Sequence, residues 1–228
     1  MKKSILVLSL TTLALLATLL GGCASARREQ RALAGQRSIA LDTPQAAPAA
    51  ISKGAISITS VTDNRVFQNK PTEPFMPSVN GDVATMTPAQ KSSMIGRQRN
   101  AYGKAVGDIA LANNDTVERQ ARALVETALK NSGWQITPAA SAPATAAVSI
   151  NEFWAWFTPG AFTASFEARV TCTITMAKAG SPPVAITIQG YGRNQGGTFS
   201  DANWKVAYDR AYENFLENAR AKLDATPF

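Results

Sequence analysis

The sequence predicts an α+β fold: a two-layer sandwich in which a mainly antiparallel sheet of about four to five strands carries two amphipathic helices on one face. Three patterns predict it. Phe162, Ala164, Phe166, Ala168, Val170, Cys172, Ile174 and Met176 alternate with hydroxylated or charged residues, and Val184, Ile186 and Ile188 resume the alternation after a Pro-containing turn. That is a long hairpin with one dry and one wet face. Val117, Ala121, Leu124, Val125 and Ala128 recur at helical spacing, and so do Trp204, Ala207, Tyr208, Ala211, Phe215, Ala219 and Leu223. Each makes an apolar stripe that has to be buried against another layer.

Residues 1–22 read as a lipoprotein signal peptide. Lys2 and Lys3 precede an apolar run from Ile5 to Leu20, and Gly21-Gly22 stand directly before Cys23. The run is shorter than the ~20 residues a bilayer-crossing helix needs. Cys23 is therefore the expected lipidation site, and several acyl chains make a stable anchor where one alone is marginal. Residues 23–54, rich in Ala, Gln, Ser and Pro, read as a flexible tether to a single α+β domain over 55–228. Arg27, Arg28, Arg31 and Arg37 in this stretch suit either an anionic head-group surface or plain solvation.

Within the domain, Ile56 and Ile58 alternate with Ser57 and Thr59 as a short strand ending at Asp63-Asn64-Arg65, where a local ion pair ties a turn. Pro71, Pro74, Pro77 and Pro88 then argue against helix and central strand alike, so 66–90 reads as a loop. The first helix starts at Asp115, with Glu118 as capping-box partner, and ends at Gly133. Trp134 to Thr137 is a short strand. From Val148 the period becomes two: Val148, Ile150, Trp154 and Trp156 share one side, and Phe153 and Phe157 take the other. Gly190 to Gly197 reads as a glycine-rich link to the last helix, capped by Ser200.

Candidate binding residues lie in two places. No acidic residue occurs between Asp82 and Asp108, so Lys91, Arg97, Arg99 and Lys104, with Tyr102 among them, form a cationic stretch. It fits an anion- or partner-binding loop, against the more usual reading of such a charge run as a solvated loop with a glycine turn. Phe153 and Phe157 are expected to face outward as an interaction patch unless the 66–90 segment covers them.

Composition restricts the chemistry. The net charge of +7 comes from 23 basic and 16 acidic residues, with no histidine. Histidine-based acid–base chemistry, Ser-His-Asp hydrolysis and the usual zinc sites are excluded. Gly190-x-Gly192 lacks dinucleotide or P-loop spacing. Asp63, Asp108 and Glu152 are not brought together by any pattern. No catalytic residue, metal site or cofactor is implied. Cys172, flanked by apolar alternation, reads as a small buried hydrophobe.

In order along the chain, the lipobox, Val61-Thr62-Asp63-Asn64-Arg65, Ile95-Gly96-x-x-Arg99-Asn100-x-Tyr102-Gly103, Asp108-Ile109, Gly133-Trp134 and Phe153-Trp154 resemble the YajG-like family of uncharacterised bacterial lipoproteins. The resemblance covers most of 55–223. The 66–90 insertion and the alanine-rich loop before Val148 depart from it. It implies an outer-membrane lipoprotein facing the periplasm, and Ala24 after the cysteine agrees with outer-membrane sorting. The expected function is a lipid-anchored, non-enzymatic docking or adaptor module with an envelope protein partner and no nucleic acid. Alternatives are a cell-wall (peptidoglycan) or small-ligand binding module, or a lipoprotein activator of a peptidoglycan synthase.

Overall fold

The structure, a computed structural model, describes residues 36–47, 52–100, 104–160, 163–196 and 200–228. Its strands are β1 (Gln36–Ile39), β2 (Gly54–Asp63), β3 (Met94–Arg99), β4 (Ala105–Leu111), β5 (Trp134–Ile136), β6 (Ala144–Pro159), β7 (Ala164–Lys178) and β8 (Val184–Gly196). The helices are α1 (Pro88–Ser93), α2 (Val117–Asn131) and α3 (Asp201–Ala225).

The expected four-to-five-strand, mainly antiparallel sheet is corrected: these residues build one mixed sheet of eight strands. The β6–β7–β8 hairpins are antiparallel as the alternation requires, but β2 pairs in parallel with both β5 and β6, and β3 pairs in parallel with β6. The extra strands are short. β3 carries two arginines and a glycine, a composition that reads as loop. β1 lies inside the stretch read as tether, and the compact unit begins at Arg37 rather than near Ala55.

β6 organises the sheet. β7 runs along one of its edges for the full length. On the other edge, β2 pairs with the first half, up to Asp63 against Ile150, and β3 pairs with Ala155 and Trp156 in the second half. The sheet therefore forks where β2 ends and β3 begins. Arg65 fills the fork with its side chain fully buried. It donates to the carbonyls of Met94 (2.6 Å), Phe153 (2.9 Å) and Lys91 (2.7 Å), and pairs with both carboxylate oxygens of Asp63 at 2.8 Å. The local ion pair read from Asp63-Asn64-Arg65 is thus a clip across three strands.

At the same height β6 is bulged. Ile150 faces Cys172 and Glu152 faces Thr171, which leaves Asn151 as the extra residue. A bulge reverses which parity faces the core. Ala146, Val148 and Ile150 face the helices before it; Phe153, Ala155 and Phe157 do so after it. Trp154 and Trp156 consequently point the other way, into a second cluster with Val79, Met94 and Ala110. The expected outward placement of Phe153 and Phe157 is overturned for this reason: they are 0% and 4% exposed. Phe153 stacks on Tyr208 at 5.4 Å between ring centres, and Phe157 meets Phe166 edge-on at 5.6 Å.

α2 and α3 share one face of the sheet and enclose the main core. α2 is capped one residue later than its sequence suggests. The Thr116 hydroxyl accepts from Arg119 N–H, while Asp115 accepts from Thr116 N–H and Glu118 is bonded to Ser92. The proline-rich segment covers the opposite face over β3, β4 and the end of β6, with Phe67 edge-on to Trp154 at 5.8 Å. Pro88 opens α1 instead of preventing a helix, because position N1 needs no amide hydrogen; Thr87 and Gln90 complete a capping box.

α3 sits on β8 at backbone distance. Gly190 and Gly192 face it, and a Cβ at either would overlap the carbonyl oxygens of Ala211 or Ala207. Four α3 side chains spaced by four residues then cover the free edge of β8. Asn214 accepts from Tyr191 N–H at 3.1 Å, Asn218 donates to Gln189 C=O at 2.8 Å, Lys222 donates to Thr187 C=O at 2.6 Å, and Arg210 donates to Arg193 C=O. An edge whose outward groups are already bonded cannot template another strand.

Candidate functional site

Of the residues singled out in the sequence, Arg97 belongs to β3 rather than to a loop and is 8% exposed. Its Nε lies 3.6 Å from Asp108 on β4, its NH1 donates to the Val79 carbonyl, and Asp108 accepts from Asn80 N–H at 2.9 Å. Burial lowers the Arg97 pKa and raises that of Asp108, and each charge partly offsets the shift of the other. The pair clamps the proline-rich segment onto the hairpin, a structural duty. Arg99 is half-buried at the end of β3. Lys104 is exposed, and its N–H donates to Asn100 Oδ1 at 2.9 Å. Tyr102 and the lipidation site Cys23 lie outside the described residues. Arg97 is therefore buried where Arg99 is half-buried and Lys104 exposed, and Phe153 and Phe157 are core. Cys172 is also core, its thiol pushed up to about 12 by burial. The carboxylates considered as acid–base candidates each hold an arginine: Asp63 with Arg65, Asp108 with Arg97, Glu152 with Arg169.

The exposed aromatics gather elsewhere, on the outer face of β6–β8. Arg169 lies between two rings, its guanidinium 5.3 Å from the centre of Trp156 and 5.5 Å from that of Phe75. Tyr191 on β8 lies 6.3 Å from Trp156, ring centre to ring centre. Phe75 is 36% exposed and Tyr191 40%. Carboxylates fix the cations and hydroxyls between them. Glu152 accepts from Arg169 (3.1 Å), Thr171 (2.5 Å) and Gln189 (3.4 Å), and Glu167 accepts from Thr158 (2.7 Å) and the Tyr191 hydroxyl (2.6 Å). The result is a preorganised surface of two half-exposed rings around a partly buried guanidinium, with Gln189 and Arg193 at its rim. Aromatic and Arg side chains held rigidly in this way are the usual anchors of recognition surfaces.

Sequence reasoning missed this patch because 190–197 reads as a glycine link. The signal was present: Thr187, Gln189 and Tyr191 continue the outward parity of β8, while Gly190 and Gly192 occupy the inward one.

Burial, followed by the hydrogen bond to Glu167, raises the Tyr191 phenol from its ordinary 10.0 to about 12. A raised phenol pKa means that the folded state favours the neutral form. The stabilisation is complete below 10 and is lost as pH rises through about 12. In a spectrophotometric titration, Tyr191→Phe should remove one phenol that ionises near 12, and Glu167→Gln should bring that ionisation down. A curve indifferent to Glu167→Gln would show that the bond does not form in solution.

A separate cleft of about 260 Å³ lies where β5, β7 and β8 meet the C-terminal end of α3, lined by Trp134, Met176, Ile186, Leu223 and Phe228. Its cation, Lys53, is engaged by Asp224 at 2.8 Å and the Leu223 carbonyl at 3.0 Å. Among the described residues there is no group of His, Cys, Asp and Glu that could hold a metal ion, and no helix long and apolar enough to cross a membrane.

No protein-family model matches the chain, and no curated protein matches it. Among solved structures, it is similar to the protein XCC0632 from Xanthomonas campestris, described as family-model DUF330, with a TM-score of 0.40 and 9% identity over 83% of this chain and 91% of that one. A second, described as an uncharacterized protein, has a TM-score of 0.33 and 10% identity over 80% and 95% of the two chains. Scores this low establish neither a shared fold nor a shared function.

Proposed function

We propose that this chain is a lipid-anchored, non-enzymatic docking module of the cell envelope, a YajG-like lipoprotein held at the outer membrane through Cys23 and facing the periplasm. The observation that carries the reading is the outer-face patch around Arg169, with Phe75 and Tyr191 half-exposed on a rigid sheet. Arg169 is matched by Glu152, while Glu167 is held by the Thr158 and Tyr191 hydroxyls and Arg193 by Ser165, so a partner meets rings and hydrogen-bonded polar groups. That arrangement suits an envelope protein surface with apolar anchors and a polar rim.

A photo-crosslinking residue at position 191 or 75 in intact cells should trap a defined envelope protein, and Arg169→Ala should abolish the adduct. Trapping nothing at these positions, while position 202 on the exposed start of α3 traps a partner, would move the docking surface elsewhere.

The exposed Tyr191 ring beside Gln189 and Arg193 favours a second reading, a cell-wall glycan whose apolar ring face stacks on the phenol. Retention on purified peptidoglycan, lost with Tyr191→Ala, would decide for it.

A further inference from the structure

Five elements meet at one end of the sheet. β2 starts at Gly54 beside Trp134 of β5, β7 finishes at Lys178, β8 starts at Val184, and the last turns of α3 close over them. The cleft of about 260 Å³ opens between them. Its walls are apolar: Trp134, Met176, Ile186 and Leu223 are buried, and the half-buried Phe228 ring meets Trp134 edge-on at 5.5 Å. Its mouth is cationic. The Lys178 ammonium lies 5.1 Å over the Phe228 ring. Lys53 lines the cleft and donates to Asp224 Oδ1 (2.8 Å) and the Leu223 carbonyl (3.0 Å). An ammonium carries three hydrogens, so one of them remains unused. The other carboxylate oxygen of Asp224 faces Arg220 at 3.9 Å. Lys130, Lys178 and Lys222 are exposed around this end and form no ion pair among the described residues. Against them stands one exposed carboxylate, Glu217, two turns up α3 from Asp224.

From this geometry we infer that the cleft is a binding site for a single-chain amphiphile with an anionic head, the chemistry of a fatty acid. The chain lies against Trp134 and Ile186, and the carboxylate sits at the mouth between Lys53 and Lys178. Size selects the tail. Pockets for small ligands start near ~300 Å³, so this cleft takes one chain and not the two of a phospholipid. An apolar cavity of ~150 Å³ already admits a benzene-sized guest, so the end of one chain fits. Apolar walls strip a polar ligand of its water without replacing the hydrogen bonds, which disfavours a sugar in the same place. Charge selects the head. An acceptor at the mouth meets the unused Lys53 hydrogen and the unpaired Lys178, whereas a cationic head meets only repulsion from the lysines. The cleft shares no residue with the patch around Arg169, so this site stands or falls apart from the docking reading.

The test uses the full chain in phosphatidylcholine vesicles, with a bromine-tipped undecanoate as the probe. Bromine quenches an indole only at contact. Quenching at Trp134 is read as the difference between the parent and Trp134→Phe, in which Trp154, Trp156 and Trp204 are unchanged. That difference should rise to saturation as probe is added. Lys178 is exposed, so Lys178→Glu leaves the fold in place. It should weaken binding about tenfold, the effect of reversing one unit charge beside the head group in water, and Lys178→Arg should restore it. The matching bromine-tipped alcohol should bind about tenfold more weakly than the acid for the same reason. Bromoacetate, which has the head without the chain, should not quench. Ile186→Phe, which fills the cleft, should remove the saturable component. Quenching that rises without saturation, or that survives Ile186→Phe, puts the probe in the bilayer or on the surface and overturns the site. Equal binding of acid and alcohol, unmoved by Lys178→Glu, overturns the anionic head.

Discussion

Replacing Arg65 with methionine should lower the unfolding free energy by about 3–5 kcal/mol, the usual cost of removing one partner of a buried ion pair. Methionine fills most of the volume, so the loss comes from polar groups and not from a cavity. The buried carbonyls of Met94 and Phe153 lose the Arg65 donor, the Lys91 carbonyl keeps only its bond from Met94 N–H, and the Asp63 carboxylate, with 14% of its side chain exposed, loses its cation. Each orphaned buried acceptor costs about 1–3 kcal/mol. These groups sit where β2 hands over to β3 along β6, so no adjoining strand can take the place of the guanidinium. Denaturant unfolding should show a lower midpoint with an unchanged slope. Arg65→Met combined with Asp63→Asn should recover part of the loss, because the remaining carboxylate charge is gone. A single-variant loss below about 1 kcal/mol, the range of surface pairs, would show that the fork is held by packing alone.

The same fork explains which parts of the fold the sequence discloses. β7 and β8 are legible because period-two alternation over many residues has one structural solution, and α2 and α3 because their stripes are long. β6 is legible as a strand but not in its facing, since one bulge residue, Asn151, exchanges the parity of everything after it. That exchange sends Phe153 and Phe157 inward and Trp154 and Trp156 outward, and no local pattern at 148–157 announces it. β3 is hidden because its buried arginine, Arg97, looks like solvated charge until Asp108 and the Val79 carbonyl are placed against it. The exposed patch is hidden for a related reason. Phe75 comes from a proline-rich loop, and it reaches Trp156 and Arg169 only because that loop folds over the sheet.

Gly192→Val should cost about 3 kcal/mol or more, at or above the upper end of overpacking, although valine suits a strand better than glycine does. The added Cβ points at α3 and overlaps the Ala207 carbonyl oxygen and the Ala211 nitrogen, which are helix backbone and cannot rotate away. Relief requires α3 to lift from β8. That movement also separates Asn214 and Arg210 from the free edge at Tyr191 N–H and Arg193 C=O, so lost packing and lost edge bonds add together. Once uncovered, the edge can pair with a second copy, and Gly192→Val should associate in a concentration-dependent way on size exclusion. Tyr191→Val is the matched control. It places the same side chain one residue away but on the outer face, leaves α3 seated, and should cost within about 1 kcal/mol and remain as dispersed as the parent. Equal stability and equal dispersion of the two variants would mean that α3 does not rest on the backbone of β8, and that the polar ladder from Arg210 to Lys222 is not what closes the sheet.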